Sequence, residues 1–180
     1  LVKLLQGGFS TGHGHLREPN DIESYAALAC IAIQSNQNDQ HGGQSVPNFD
    51  YGMAPGVKKA YKRLYVTNLG KMLDFLEDVE DGVERMKALA GKIEHEHGVF
   101  PCKAWDNNYE ELELAELIKF IPEAEAKKMQ DRSRKFADKE IRRKTYQAME
   151  AFIHNLNTMH SRAGAQGPFS SINYGTDTSP

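Results

Sequence analysis

The sequence predicts a mixed α/β fold, built mostly of long helices with a few short strands. Three observations carry that expectation. Apolar residues recur at gaps of three and four over residues 69–93 and again over 136–159. Residues 169–174 alternate in the manner of a strand. The long helices lie between possible strands, as parallel crossovers require.

Residues 1–9 are apolar and end in Gly7-Gly8, which suits a strand tail as well as a helix end. Residues 10–18 form a loop by composition, with Gly12 and Gly14 interleaved with His13 and His15. A helix is predicted from Asn20 or Asp21. Asn20 can accept from the exposed N–H groups of the first turn, and Glu23 can answer as a capping box. The run 26–33 has no polar face, so this helix is expected to be surrounded by protein.

Residues 35–45 read SNQNDQHGGQS, without one apolar side chain. They form either a solvated loop or a segment that delivers amides and backbone to one interior place, where Gly42 and Gly43 permit close approach. Residues 46–53 suit a short extended segment. Pro55 then opens a basic helix with Lys58, Lys59, Lys62 and Arg63, a run that is usually a wet face.

The apolar stripe of residues 69–93 predicts one amphipathic helix of roughly seven turns. Its outer face is acidic (Glu77, Asp78, Glu80, Asp81, Glu84), and Gly98 ends it ahead of a loop holding Cys102 and Trp105. Residues 109–121 form the next helix. Pro122 stops it and can itself serve as first residue of another, which runs to about His160. Lys and Arg dominate residues 119–144, so an acidic and a basic helix are expected side by side. Apolar seams must hold that pair, because each exposed ion pair adds only about 0–1 kcal/mol. Gly164 and Gly167-Pro168 break the pattern. In the strand that follows, Ser170, Ile172 and Tyr174 point one way, and Phe169, Ser171 and Asn173 the other.

The chain has 180 residues, 39% apolar and 26% charged, which is ordinary for a folded domain. A net charge of −3 gives no electrostatic case for nucleic acid or membrane as a partner. Two cysteines, Cys30 and Cys102, are too few for a disulfide scaffold or a four-thiolate metal site and fit a reducing, cytoplasmic compartment. The longest apolar run is far short of a membrane span. The histidine pairs His13/His15 and His95/His97 have a spacing that does not suit a shared ion, so no metal is expected. A first residue Leu1 and a last residue Pro180 suggest an internal piece of a longer polypeptide.

Three stretches, LLQGGFSTGHGHLREPNDI, SNQNDQHGGQS and HNLNTMHSRAGAQGPFSSINYGTDTS, resemble the class III, anaerobic ribonucleoside-triphosphate reductases. In the last stretch Arg162, Gly164, Gln166, Pro168, Phe169, Ser170, Ser171 and Asn173 fall into the family's register. Gly167 departs from it, since Val is commoner there. Across residues 66–146 the resemblance rests on helical character and position. It implies a fragment of a ten-stranded α/β barrel made of two half-barrels, with residues 1–180 part of one catalytic barrel domain and 66–162 a long helical segment within it.

The resemblance further implies reduction of ribonucleoside triphosphates by a glycyl radical, which a separate radical-SAM iron–sulfur activase installs. The radical moves to a finger-loop cysteine, and formate is the reductant in many members. A homodimer, dNTP or ATP effectors bound among interface helices, and a structural zinc outside this chain are also implied. Neither Cys30 nor Cys102 has the Met-Gly before it and Arg after it of the radical cysteine, and no glycyl-radical segment occurs. The chain is therefore expected to hold no cofactor and no catalytic residue, and to be inactive alone. Cys30 reads as a small buried hydrophobe and Cys102 as a loop thiol.

Within that resemblance the substrate-side candidates are Arg162, Gln166, Ser170, Ser171 and Asn173. Ser170, Ser171 and Thr176 offer hydroxyls, Arg162 a cation for phosphate, and Asn173 and Gln166 amides for ribose. Phe169 and Ile172 can exclude water. His41, Gly42, Gly43 and Gln44 form a second candidate group. The alternatives are that Ser171 and Asn173 only satisfy backbone, and that His41 only closes a turn. Both segments are expected to face one enclosed cavity shaped for a sugar triphosphate. Lys58, Lys59, Lys62 and Arg63 are candidates for effector phosphate. Two other readings stay open: another glycyl-radical enzyme such as an acyl-lyase, and a non-catalytic helical module for nucleotide binding or dimerisation.

Overall fold

The first helix, α1 (Ile22–Asp39), starts where the sequence predicts, and Asp21 rather than Asn20 caps it. The Asp21 Oδ1 accepts the Ser24 N–H at 3.0 Å. Asp21→Ala is expected to cost about 1 kcal/mol, seen as a lower denaturation midpoint; an unchanged midpoint would show that this cap contributes nothing. In this computed structural model the described residues are 5, 9–10, 15–39, 42–77, 80–102, 107–159, 167, 169–175 and 177–178.

The remaining elements are β1 (Phe9–Ser10), β2 (His15–Leu16), β3 (Gln44–Val46), α2 (Phe49–Glu77), α3 (Gly82–His97), α4 (Tyr109–Leu117), α5 (Glu123–Thr158) and β4 (Ser170–Ile172). β1 and β2 pair antiparallel, and β3 and β4 pair parallel. The expected α/β half-barrel is not what the described residues form. They make a helical fold with two two-stranded sheets. The physical reason lies in length and partners: each strand spans two or three residues and pairs with one neighbour, while the helices bury their apolar stripes against each other. No helix among the described residues is long and apolar enough to cross a membrane.

The chain divides into two compact units. One holds Leu1–Ala60 and Arg143–Thr178, the other Tyr61–Arg142 and Ser179–Pro180. In the first, Ile22, Tyr25, Ala26, Ala29, Cys30 and Ile33 of α1 are buried, and Phe49 meets Phe152 with ring centroids 5.0 Å apart. α1 is not enclosed all round, since Ala27 and Ile31 are exposed. The amide-rich stretch is helical as far as Asp39 instead of forming a loop. α2 begins before Pro55, because the buried Phe49 and Met53 anchor an extra turn that outweighs the proline's missing donor.

In the second unit the single helix expected over 69–93 is two. α2 ends at Glu77 and α3 starts at Gly82, whose N–H donates to Asp74 Oδ1 at 2.6 Å. The apolar period continues across the break because Leu69, Leu73, Met86, Ala90 and Ile93 are all buried. Gly98 closes α3 in the left-handed region at φ 70°, as its position predicts. Pro122 stands just ahead of α5, where its carbonyl accepts from the Glu125 and Ala126 N–H groups. The acidic residues Asp81 and Glu84 pair locally with Arg85 and Lys87 of their own helix.

Candidate functional site: the paired strands of the first unit

The two segments singled out from sequence meet as neighbouring strands. Gln44 lies opposite Ser170, Ser45 opposite Ser171, and Val46 opposite Ile172. The Gln44 N–H donates to the Phe169 carbonyl at 2.9 Å, and the Asn173 N–H donates to the Val46 carbonyl at 3.0 Å. Opposed residues of a parallel pair point the same way. One face therefore carries Gln44, Ser170, Val46 and Ile172, all half-buried, and the other carries Ser45 and Ser171, both exposed. Phe169 and Asn173, flanking β4, are exposed as well. The described residues thus set two hydroxyls, an aromatic ring and an amide along one accessible edge.

The amides of α1 serve as ties. Gln34 and Gln37 are buried, and their Nε2 groups donate to the carbonyls of Met159 at 3.2 Å and Gly167 at 3.1 Å. Gln44 donates to the Ile33 carbonyl at 2.9 Å while accepting from Asn36 Nδ2 at 2.8 Å. These bonds join the helix to both ends of the segment that leads into β4. Buried amides demand such partners, and their number in residues 34–44 is the sequence signal of that junction.

Of the other candidates, His41, Arg162 and Gln166 lie outside the described residues. Gly42 has φ 97°, in the left-handed region that favours glycine. At Gly43 a Cβ would lie 2.9 Å from Phe169 Cδ1, so the ring rests over that backbone. Lys59 pairs with Glu18, donates to the Pro19 carbonyl at 3.2 Å and stands 5.6 Å from the Tyr25 ring centroid. The bond from Lys59 holds the Glu18 carboxyl below its ordinary range. Lys62 pairs with Glu94 and lies 5.9 Å from the Phe100 ring centroid. Lys58 is half-buried and Arg63 exposed. Lys58 and Lys59 belong to the first unit, Lys62 and Arg63 to the second.

Burial pushes the Cys30 thiol up, which suits a packing role in α1. Cys102 accepts at its sulfur from Asn107 Nδ2 at 3.3 Å. Among the described residues no group of three or more His, Cys, Asp or Glu stands together to hold a metal ion.

Sequence reasoning missed two features. Asp50, at the start of α2, accepts from the backbone after β4. Glu113, in the second unit, is almost wholly buried among Tyr65, Tyr109 and Gln130. A glutamate at the centre of the buried stripe Tyr109, Glu113, Leu117 was the available signal for the latter.

The family model described as anaerobic ribonucleoside-triphosphate reductase matches residues 1–180. No curated protein sequence matches the chain.

Proposed function

The chain belongs to the anaerobic ribonucleoside-triphosphate reductase family, and from that premise we propose that it supplies substrate-side structure for the reduction of ribonucleoside triphosphates to deoxyribonucleotides. One observation carries the reading: Gln44–Val46 and Ser170–Ile172, far apart in sequence, lie side by side, with Ser45, Ser171 and Asn173 accessible along one edge. Small hydroxyls and an amide suit ribose and phosphate oxygens. Phe169 offers an apolar flank for water exclusion.

In this reading the chain binds and orients, and the radical chemistry resides elsewhere. A glycyl radical, installed by a radical-SAM activase, would supply the radical that initiates hydrogen-atom abstraction and is regenerated, while a separate reductant supplies the two electrons. Cys30 and Cys102 lack the neighbours of the radical cysteine and are too few for a zinc thiolate set, and no glycyl-radical segment occurs in residues 1–180, so this reading assigns neither group to them. Residues 1–180 are expected to be inactive alone.

In the complete active reductase, Ser171→Ala and Asn173→Ala are each expected to raise KM for CTP about tenfold, the loss of one hydrogen bond to a charged or hydroxyl-rich ligand. KM values equal to wild type in both variants would remove these strands from the substrate site.

A second reading concerns the helices of the second unit, as a contact for a second copy or for effector nucleotides. Its support is a cleft of about 400 Å³ lined by Met72, Phe75, Leu76 and Met129, with Glu125, Lys128 and Arg132 alongside. Phe75 is 91% exposed there, so its ring is accessible at the rim of the cleft. Phe75→Ala is expected to weaken self-association or dATP binding measurably; unchanged sedimentation and unchanged dATP affinity would dispose of this reading.

A further inference from the structure

Among the described residues of the loop after β4, the Asp50 carboxylate holds two backbone N–H groups. Asp50 Oδ2 accepts from the Gly175 N–H and from the Asp177 N–H, both at 2.7 Å. Its other oxygen accepts from the Tyr51 N–H at 3.1 Å, which orients the carboxylate at the start of α2. Gly175 adopts φ 92°, a conformation that side-chain-bearing residues rarely take. Just upstream, the Asn173 backbone is fixed on both sides. Its N–H donates to Val46, and its carbonyl accepts the Phe49 N–H at 2.8 Å. Asn48, at φ 54°, makes the turn that brings Phe49 and Asp50 to this place.

Apolar packing does not hold the described residues at the start of this loop. Asn173, Tyr174 and Gly175 are exposed, and Tyr174 keeps 77% of its surface in water. An exposed loop without apolar burial takes its shape from hydrogen bonds, and those to a carboxylate are the strong ones. Short backbone-to-carboxylate bonds thus do here what a core does elsewhere.

We propose that Asp50 is a positioning residue for the nucleotide: by gripping the turn at Gly175 and Asp177 it holds Asn173 and Tyr174 at the edge where the ribonucleoside triphosphate is bound. This rests on the substrate-side reading of β3 and β4. Asp50 touches no substrate in this scheme. It acts through the backbone beyond Asn173, so its loss frees Gly175 and Asp177 and loosens Tyr174 and the exit from Asn173, whose own backbone bonds to Val46 and Phe49 remain, without removing any contacting group. Loosening a binding loop in this way costs affinity, because the loop must then be ordered on binding.

The test uses the complete active reductase, with steady-state KM and kcat for CTP and circular dichroism of each variant. Asp50→Ala is expected to raise KM about tenfold, with kcat within about twofold of wild type and the helical signal retained. Asp50→Asn keeps an oxygen acceptor for the two N–H groups and is expected to recover most of the loss. An unchanged KM in Asp50→Ala overturns the proposal. So does an equal loss of KM, kcat and helical signal in both variants, since that marks a purely structural role. Failure of the underlying reading is seen separately, as Ser171→Ala and Asn173→Ala enzymes whose KM matches wild type.

Discussion

Gly70→Ala is expected to lower the melting temperature by about 6–12 °C, from a loss of roughly 3 kcal/mol. α2 and α3 touch backbone to backbone at this point. A Cβ on Gly70 would lie 2.4 Å from Val83 Cα, 2.7 Å from Val83 N and 2.8 Å from the Gly82 carbonyl oxygen. None of these atoms can rotate away as a side chain does. The helices must separate, and separation disturbs the Gly82 N–H bond to Asp74 and the packing of Leu69, Leu73 and Met86. Overpacking of side chains typically costs about 1–3 kcal/mol, and backbone on the receiving side places this case at the upper end. Gly91→Ala is the matched control. It lies in α3 with nothing within 4 Å of its added carbon, and is expected to stabilise by about 0.4–1 kcal/mol. Thermal unfolding followed by circular dichroism measures both. A Gly70→Ala melting point within about 2 °C of wild type would mean the two helices do not meet this closely.

Glu113→Ala should be comparably severe, at about 3–5 kcal/mol. Tyr65 donates to Glu113 Oε2 at 2.6 Å, Tyr109 to Oε1 at 2.9 Å and Gln130 to Oε2 at 2.9 Å. Truncation leaves two buried phenols without an acceptor and Gln130 with only the Glu110 carbonyl, and it opens a cavity between α2, α4 and α5. Glu113→Gln behaves differently. A carboxamide can accept from Tyr65 and Gln130 at its oxygen and donate to Tyr109 from its nitrogen, so the network survives without a buried charge.

The same glutamate gives the second unit a pH dependence of defined sign. Burial pushes its carboxyl above the usual carboxylate range, and the bonds from Tyr65, Gln130 and Tyr109 draw it part of the way back. Burial first, and then the Glu113 charge, push the Tyr65 and Tyr109 hydroxyls far up, so both stay protonated donors. Because the folded value lies above the unfolded value of about 4.3, the fold favours the protonated acid. That contribution to stability is complete below the unfolded value and is lost as pH rises through the folded one. Denaturation midpoints measured from about pH 4.5 to 8 should therefore fall more steeply with pH in wild type than in Glu113→Gln. Parallel curves for the two proteins would show that Glu113 titrates as an ordinary surface carboxylate.

Legibility from sequence varied with the range of the interaction. α1, α4 and α5, the stop at Gly98 and the strand at β4 follow from local patterns: capping side chains, gaps of three and four, a glycine in the left-handed region and two-residue alternation. The break between α2 and α3 was hidden, since an apolar stripe keeps its period when two helices share one core. The α2 start was hidden by Pro55, whose local cost is outweighed by burial of Phe49. The half-barrel inferred from family resemblance is replaced by a helical fold with two small sheets among the described residues.

The candidate site divides along the same line. Sequence alone marked Gln44, Ser170, Ser171 and Asn173 as chemically apt, because side-chain donors and acceptors are readable letter by letter. It also determined that neither cysteine has the neighbours of a radical thiol. Only the tertiary structure decided that Gln44 stands opposite Ser170, that the α1 amides tie the segment leading into β4, and that Asp50 grips the turn beyond it. Those contacts join residues more than a hundred positions apart. Their energies depend on distance and desolvation in space, quantities that no local run of residues carries.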